Sequence, residues 1–183
     1  MTAAPLRIED LYQRAAMLGT LRLTLEPIEP THADALFDDL RDHRLYEFID
    51  DEPPESVAGL RSRFAKLATR KSPDGVETWL NWAVRRVNDA RYVGYVQATI
   101  GLNQPAQIAY VFFRKAWGNG YAREAVAGML EHLRKSFGIT VFRAHVDTRN
   151  LRSISLLEAL SFERTAPKRS GFMGFSSVNW NTH

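Results

Sequence analysis

Two glycines, Gly118 and Gly120, stand between an apolar, β-prone run over Ile108–Phe113 and a segment whose apolar residues recur at helical spacing. Those residues are Ala122, Ala125, Val126, Met129, Leu130, Leu133 and Phe137, one buried face of a helix. Strand, glycine turn, helix is an order that suits an anion. The first N–H groups of a helix have no partner within it, and the helix dipole is positive at that end. Glycine lets the backbone approach a ligand and take positive φ at low cost. A phosphate there is held by peptide dipoles. The same order also serves as a tight connection with nothing bound, and these residues alone do not choose. Two phosphate motifs are excluded. Arg123 stands where the dinucleotide fingerprint needs a third small residue, and no Gly-Lys-Ser/Thr occurs for a P-loop.

Trp117-Gly118-Asn119-Gly120-Tyr121-Ala122 resembles the pyrophosphate loop of the GNAT superfamily of acyl-CoA N-acyltransferases, which reads Arg/Gln-x-x-Gly-x-Gly/Ala. Gly120 and Ala122 match, and Trp117 replaces the Arg/Gln. Tryptophan-glycine followed by Gly-Tyr-Ala-x-Glu-Ala is typical of the branch containing the ribosomal-protein-alanine/serine N-acetyltransferases. A second run, Asn150 to Phe162, is similar to that branch's Asn-x-x-Ser-x-x-x-Leu-Glu-x-Leu-Gly-Phe, with Ser161 alone departing, where glycine is usual. Both motifs occur in the right order with a β-prone segment between them. The resemblance spans roughly Leu21 to Thr165.

Acetyl transfer from a thioester to an amine sets four requirements. The thioester must be held beside the amine, the amine must be neutral, charge on the carbonyl oxygen must meet a donor, and the thiolate can need a proton. The resemblance implies that Tyr110, Val111 and Phe112 line the pantetheine and that Trp117, Gly118, Asn119, Gly120, Tyr121 and Ala122 give N–H groups to the pyrophosphate. It implies that Asn150 contacts the cofactor near the thioester and that Ser153 protonates the leaving sulfur. Each also has a structural reading: a core strand for Tyr110–Phe113 and a helix N-cap for Asn150. The implied co-substrate is acetyl-CoA, the partner an amine acceptor, and no metal is called for. A homodimer stays open.

Two positions depart from the superfamily. Leu157 stands where many members carry a general-acid tyrosine, and Gln107 where relatives often carry a basic glutamate. The acid is then Ser153, water or absent. The base candidates are His145, Asp147 and Glu77, with His145 favoured by its ordinary pKa. A weak base leans toward an α-amine, of pKa ~7.7–8.0, over lysine at ~10.4. The two departures also leave room for a catalytically inactive, acyl-CoA-binding sensor or scaffold. Arg114, Lys115, Arg123 and Arg149 are candidates for the CoA 3′-phosphate, and Trp79, Trp82 and Phe48 for the acceptor pocket's border.

These residues need elements to position them. Residues 1–20 form an N-terminal arm in which Leu6 to Leu18 is either a short helix, with Ile8, Leu11, Tyr12 and Ala15 on one side, or a frayed end. Leu21–Glu26 alternates as a strand. Thr31 is expected to cap a helix carrying Ala35, Leu36 and Leu40, with Asp34 in its first turn. A second helix opens at Glu55 or Ser56 and carries Val57, Leu60, Phe64 and Leu67. Strands are expected over 78–87, 92–102 and 107–114, joined as antiparallel hairpins. Strand 140–147, helix 150–160 and strands 162–165 and 172–180 follow. No linker splits the chain, so 21–183 is one domain. The expected class is α/β (α+β) of GNAT fold: a mixed, mostly antiparallel sheet of about seven strands, helices on both faces, and a splayed central pair made by 107–113 and 140–147.

Composition is consistent with this. A chain of 183 residues that is 45% hydrophobic and 25% charged suits a globular domain with a full core. Without cysteine there is no disulfide, thiol nucleophile or thiolate metal site. A net charge of +3 is too mild for a nucleic-acid binder, though it suits a polyanionic cofactor. No apolar run approaches the ~20 residues of a membrane span. The default compartment is the cytoplasm.

Overall fold

A computed structural model describes residues 16–102, 104–165 and 171–177. Eight strands form one sheet in the order β1-β2-β3-β4-β5-β6-β8-β7. They are β1 (Leu18–Gly19), β2 (Leu23–Pro27), β3 (Thr78–Arg86), β4 (Tyr92–Ile100), β5 (Ala106–Phe112), β6 (Phe142–Asp147), β7 (Glu163–Thr165) and β8 (Phe172–Ser177). The helices are α1 (His32–Leu40), α2 (Val57–Ala68), α3 (Tyr121–Phe137) and α4 (Leu151–Ala159). The β3-β4-β5 hairpins are antiparallel as expected. Leu18 is not helical: Leu18–Gly19 pairs with β2 and adds a short edge strand. Ala16 and Met17 are not helical either; residues 6–15 of the expected arm helix, and residues 178–180 of the last strand, lie outside the described residues.

One pairing breaks the antiparallel order. β5 and β6 run parallel, as a crossover through α3 requires, and they pair only at Ala106–Phe142 and Gln107–Arg143. Beyond those two rungs the strands part. Apolar residues alternate to opposite faces along β3 to β5, so each face has its own core. On one side Leu80, Val84, Val96 and Ile108 pack against α3 through Val126, Met129, Leu130 and Leu133. On the other, Ala83, Phe113 and Val111 meet α1 and α2 through Leu36, Leu40, Leu60 and Phe64.

The first two helices start differently. Ser56 caps α2, its Oγ accepting from the Gly59 N–H at 3.0 Å. Thr31 does not cap α1; it is already in helical backbone and makes no side-chain cap bond. The turn begins earlier because Pro30 presets helical φ. His32 N–H donates to the Glu29 carbonyl at 3.0 Å, and the Glu29 N–H donates to His32 Nδ1 at 3.0 Å.

The end of α4 explains the one departure in the second motif. Phe162 N–H donates to the Leu157 carbonyl and Ser161 N–H to that of Glu158, the paired closure of a Schellman motif. Ser161 sits at φ +62 to make it. A side chain in that region costs ~1–2 kcal/mol, part of which glycine returns as unfolded-state entropy. Ser161→Gly should therefore stabilise by roughly 0.5–1 kcal/mol and raise Tm by about 1–4 °C in calorimetry. An unchanged or lower Tm would mean that the serine hydroxyl offsets the strain.

Candidate active site

Where β5 and β6 part, a slot of about 580 Å³ passes between them. Ile108 to Phe112 wall it on one side and Ala144 to Asp147 on the other. Leu45, Phe48 and Ile49 reach it from the α1–α2 connection, and residues of the glycine loop, α3 and α4 from the opposite face. Tyr110, Val111, Phe112, Trp117, Gly118, Gly120, Tyr121, Ala122, Asn150 and Ser153 all line this slot. Asn119 does not; its Nδ2 donates to the Ala116 and Trp117 carbonyls at 3.2 and 3.0 Å, which closes the loop on itself.

The loop is built to present N–H groups. Gly118 and Gly120 take φ +76 and +75, backbone that other residues enter only at a cost. No side chain caps α3. The N–H groups of Tyr121, Ala122 and Arg123 therefore have no acceptor within the helix, and all three residues line the slot. Trp117 Nε1 donates to the Phe112 carbonyl at 2.7 Å and ties the loop to the end of β5. A brace lies beneath. Glu124 accepts from Thr20 Oγ1 at 2.6 Å and from Arg22 N and Nε at 2.7 Å each. Burial raises its pKa, but these bonds outweigh burial and hold it below the usual range. Arg22 also donates to the Asn119 carbonyl at 3.0 Å, so a fixed cation cancels Glu124 beside the anion site.

At the inner end, Asn150 Oδ1 accepts from the Ser153 N–H at 3.1 Å, so the capping role of Asn150 is present. Ser153 Oγ lies 2.7 Å from the Tyr110 hydroxyl. Burial pushes Tyr110 up to about 12, against a smaller lowering by the Ser153 bond. The phenol therefore stays protonated at ordinary pH. Leu157 is fully buried in the core and is not among the residues lining the slot.

A slot between diverging strands, ending at an uncapped glycine loop, suits a long chain with a diphosphate at one end. Residues 22–163 match the family model described as acetyltransferase (GNAT) domain. The chain belongs to the GNAT acetyltransferase family. It is 28% identical over 153 residues, 80% of this chain and 82% of the relative, to an uncharacterised N-acetyltransferase p20 of Bacillus licheniformis. The same fold occurs in RimL, a ribosomal L7/L12 alpha-N-protein acetyltransferase solved with coenzyme A: TM-score 0.76, 16% identity, 89% of this chain and 98% of that one. It occurs also in a ribosomal-protein-S5-alanine acetyltransferase from Vibrio fischeri: TM-score 0.72, 17% identity, 91% of this chain and all of that one.

Within this GNAT domain the basic candidates separate. Lys115 is 2.6 Å from Asp39 and Arg114 3.5 Å from Asp42, and neither lines the slot. Arg149 is engaged by Asp147, which its hydrogen bonds lower to about 2. That makes Asp147 a poor base. Arg123 lines the slot, and so does Arg152, which no sequence motif singles out. Arg152 lies 3.7 Å over the Trp117 ring. Among the described residues no acid pairs with either. The aromatic candidates separate too: Phe48 lines the slot, Trp82 is wholly buried in the core, and Trp79 borders a different cavity with Glu77. His145 lines the slot from β6.

Proposed function

We propose that this GNAT domain transfers the acetyl group of acetyl-CoA directly to a primary amine, either the α-amine of a protein N-terminus or a small-molecule amine. The parting of β5 and β6 above an uncapped glycine loop carries the reading. Pyrophosphate binds the backbone N–H groups of residues 118–123, with the Arg123 and Arg152 side chains at its edge; the Trp117 N–H, expected to join them, is instead donated to the Arg114 carbonyl at 3.1 Å. Pantetheine runs along Tyr110 to Phe112, and the thioester reaches Asn150 and Ser153. The neutral amine attacks the thioester carbonyl, the C–S bond breaks, Ser153 gives its proton to the departing sulfur, and the proton that the nitrogen gives up returns to Ser153 through solvent. An α-amine suits a site whose Asp147 is held near 2 and whose Gln107 cannot accept a proton. The relatives named for ribosomal proteins favour a protein N-terminus as acceptor and the cytoplasm as compartment. Among the described residues no helix is long and apolar enough to cross a membrane.

Acetyl-CoA should raise the melting temperature. A ligand at 100 times its Kd adds roughly 2.7 kcal/mol, several degrees for a chain of this size. NADH, which shares the diphosphate but not the pantetheine, should give no shift. A flat response to acetyl-CoA would remove the reading. Release of free CoA with a panel of amines decides between an enzyme and a binding module without turnover.

A further inference from the structure

Beyond their two rungs β5 and β6 part, yet the segments that follow them meet again across the slot. Trp117 lies five residues past the end of β5, and Arg152 five past the end of β6. The Arg152 guanidinium carbon stands 3.7 Å from the centre of the Trp117 ring. Local bonds set both residues. Asn150 N–H donates to the Asp147 carbonyl at 2.9 Å, which turns the chain directly from β6 into α4. Arg152 is the second residue of that helix. Trp117 is held at both nitrogens: its backbone N–H donates to the Arg114 carbonyl at 3.1 Å and its Nε1 to the Phe112 carbonyl at 2.7 Å.

Trp117 therefore has no N–H left for an anion, although it occupies the place of the Arg or Gln in the loop's motif. What remains is its ring face, and a guanidinium lies over it. Stability does not explain that guanidinium. Arg152 sits in the first turn of α4, at the positive end of the helix dipole, where a cation is disfavoured. Stacking on an indole near solvent returns about as much as that placement costs. Arg114 also lies near this ring, at 5.9 Å, but Asp42 matches its charge at 3.5 Å. Among the described residues no acid matches the charge of Arg152. A guanidinium stacked on a ring keeps its in-plane N–H groups for another partner. Arg152 and Trp117 both line the slot, and Trp117 directly precedes Gly118 of the loop. An unmatched guanidinium held beside the N–H groups of an anion loop suits a diphosphate, which it can bind with two N–H groups at once.

Resting on the acetyl-transfer reading above, we propose that Arg152 binds the diphosphate of acetyl-CoA in place of the Arg or Gln that the loop lacks, and that Trp117 is the positioning residue that holds it there. The cation has moved from the loop to the first turn of α4, and the indole carries it back to the loop. Because the guanidinium is placed before the ligand arrives, less of its freedom is lost on binding. The same stack clasps the parted ends of β5 and β6 across the slot.

Calorimetric titration with CoA and with 3′-dephospho-CoA tests this. Arg152→Met keeps the helix propensity of the side chain and removes its charge. It should weaken CoA roughly tenfold or more, with Tm within about 2 °C of wild type. 3′-Dephospho-CoA keeps the diphosphate and should lose the same factor. A loss seen with CoA alone would put Arg152 on the 3′-phosphate and overturn the proposal. Added salt should weaken CoA less in Arg152→Met than in wild type, because one charge fewer is screened. Trp117→Phe keeps a ring beneath the guanidinium and loses the Nε1 bond, so it should stay within about threefold of wild type. Trp117→Leu removes the ring as well and should cost roughly three- to tenfold more than Trp117→Phe. In an Arg152→Met background, Trp117→Leu should cost no more than Trp117→Phe, as expected of a ring that acts only through the guanidinium. Wild-type affinity in Arg152→Met, additive losses in the double variant, or equal losses in Trp117→Phe and Trp117→Leu would each overturn the proposal. Absence of CoA binding by wild type would overturn it together with acetyl transfer. Binding that behaves as described, without CoA release from acetyl-CoA and any amine, would overturn acetyl transfer alone.

Discussion

Gly120→Glu should abolish acetyl-CoA binding in a protein that still folds. A Cβ at this position would meet only Arg22 Nη2, at 3.5 Å, which is ordinary contact. The direct structural penalty is therefore the positive φ, ~1–2 kcal/mol for a non-glycine residue. The new carboxylate would stand where the pyrophosphate must approach. Two like charges 4 Å apart repel by about 1 kcal/mol in water and about 4 at an effective dielectric of 20. The pyrophosphate carries about two charges and each 1.4 kcal/mol is tenfold, so the loss should run from roughly thirtyfold to beyond detection. Gly120→Ala separates strain from charge. It should lower Tm by a few degrees and cost less than about tenfold in affinity. Calorimetric titration of both variants checks this, and wild-type affinity in folded Gly120→Glu would show that the pyrophosphate lies elsewhere.

Features encoded within a few consecutive residues are legible in the sequence itself. The glycine loop is one: φ near +75 at Gly118 and Gly120 is what those residue types permit. The Ser56 cap, the Asn150 cap and the β3-β4-β5 hairpins are others. Features that depend on partners far apart in the chain are not. The sequence marks Tyr110 as a lining for pantetheine, whereas its hydroxyl meets Ser153 across 43 positions. The Arg22–Glu124 brace joins positions 102 apart, though Glu124 stands within a recognisable motif. Trp79 and Trp82 look alike in the sequence. Strand alternation sends them to opposite faces, but only packing shows that the Trp82 face is core and the Trp79 face a polar cleft. The basic residues are equally undetermined. Nothing local says that Lys115 turns to Asp39 while Arg152 stacks on Trp117.

The contact between Tyr110 and Ser153 makes a kinetic expectation. A thiolate leaving from a thiol of pKa ~8.5 is already a fair leaving group, so proton donation should be worth the low end of the usual ~10²–10⁴-fold. Ser153→Ala should lower kcat by roughly 100-fold and change acetyl-CoA affinity less than about threefold. Tyr110, protonated because burial pushes it up to about 12, lies 2.7 Å from Ser153 Oγ, a bond in which either hydroxyl can donate; when the phenol donates, the serine proton is free to turn toward the slot. Tyr110→Phe removes that donor alone, so its kcat should fall by less, roughly three- to tenfold. Because the phenol acts through the serine, the double variant should be no slower than Ser153→Ala. That non-additivity is what a residue acting only through another predicts, and a merely structural tyrosine would add its own loss. Asn150→Ala is the contrast. Loss of the cap should cost ~0.5–2 kcal/mol of stability and weaken acetyl-CoA binding, with less effect on kcat. Additive losses in the double variant would leave Tyr110 without a part in proton transfer. A Ser153→Ala loss under about threefold would assign the proton to water.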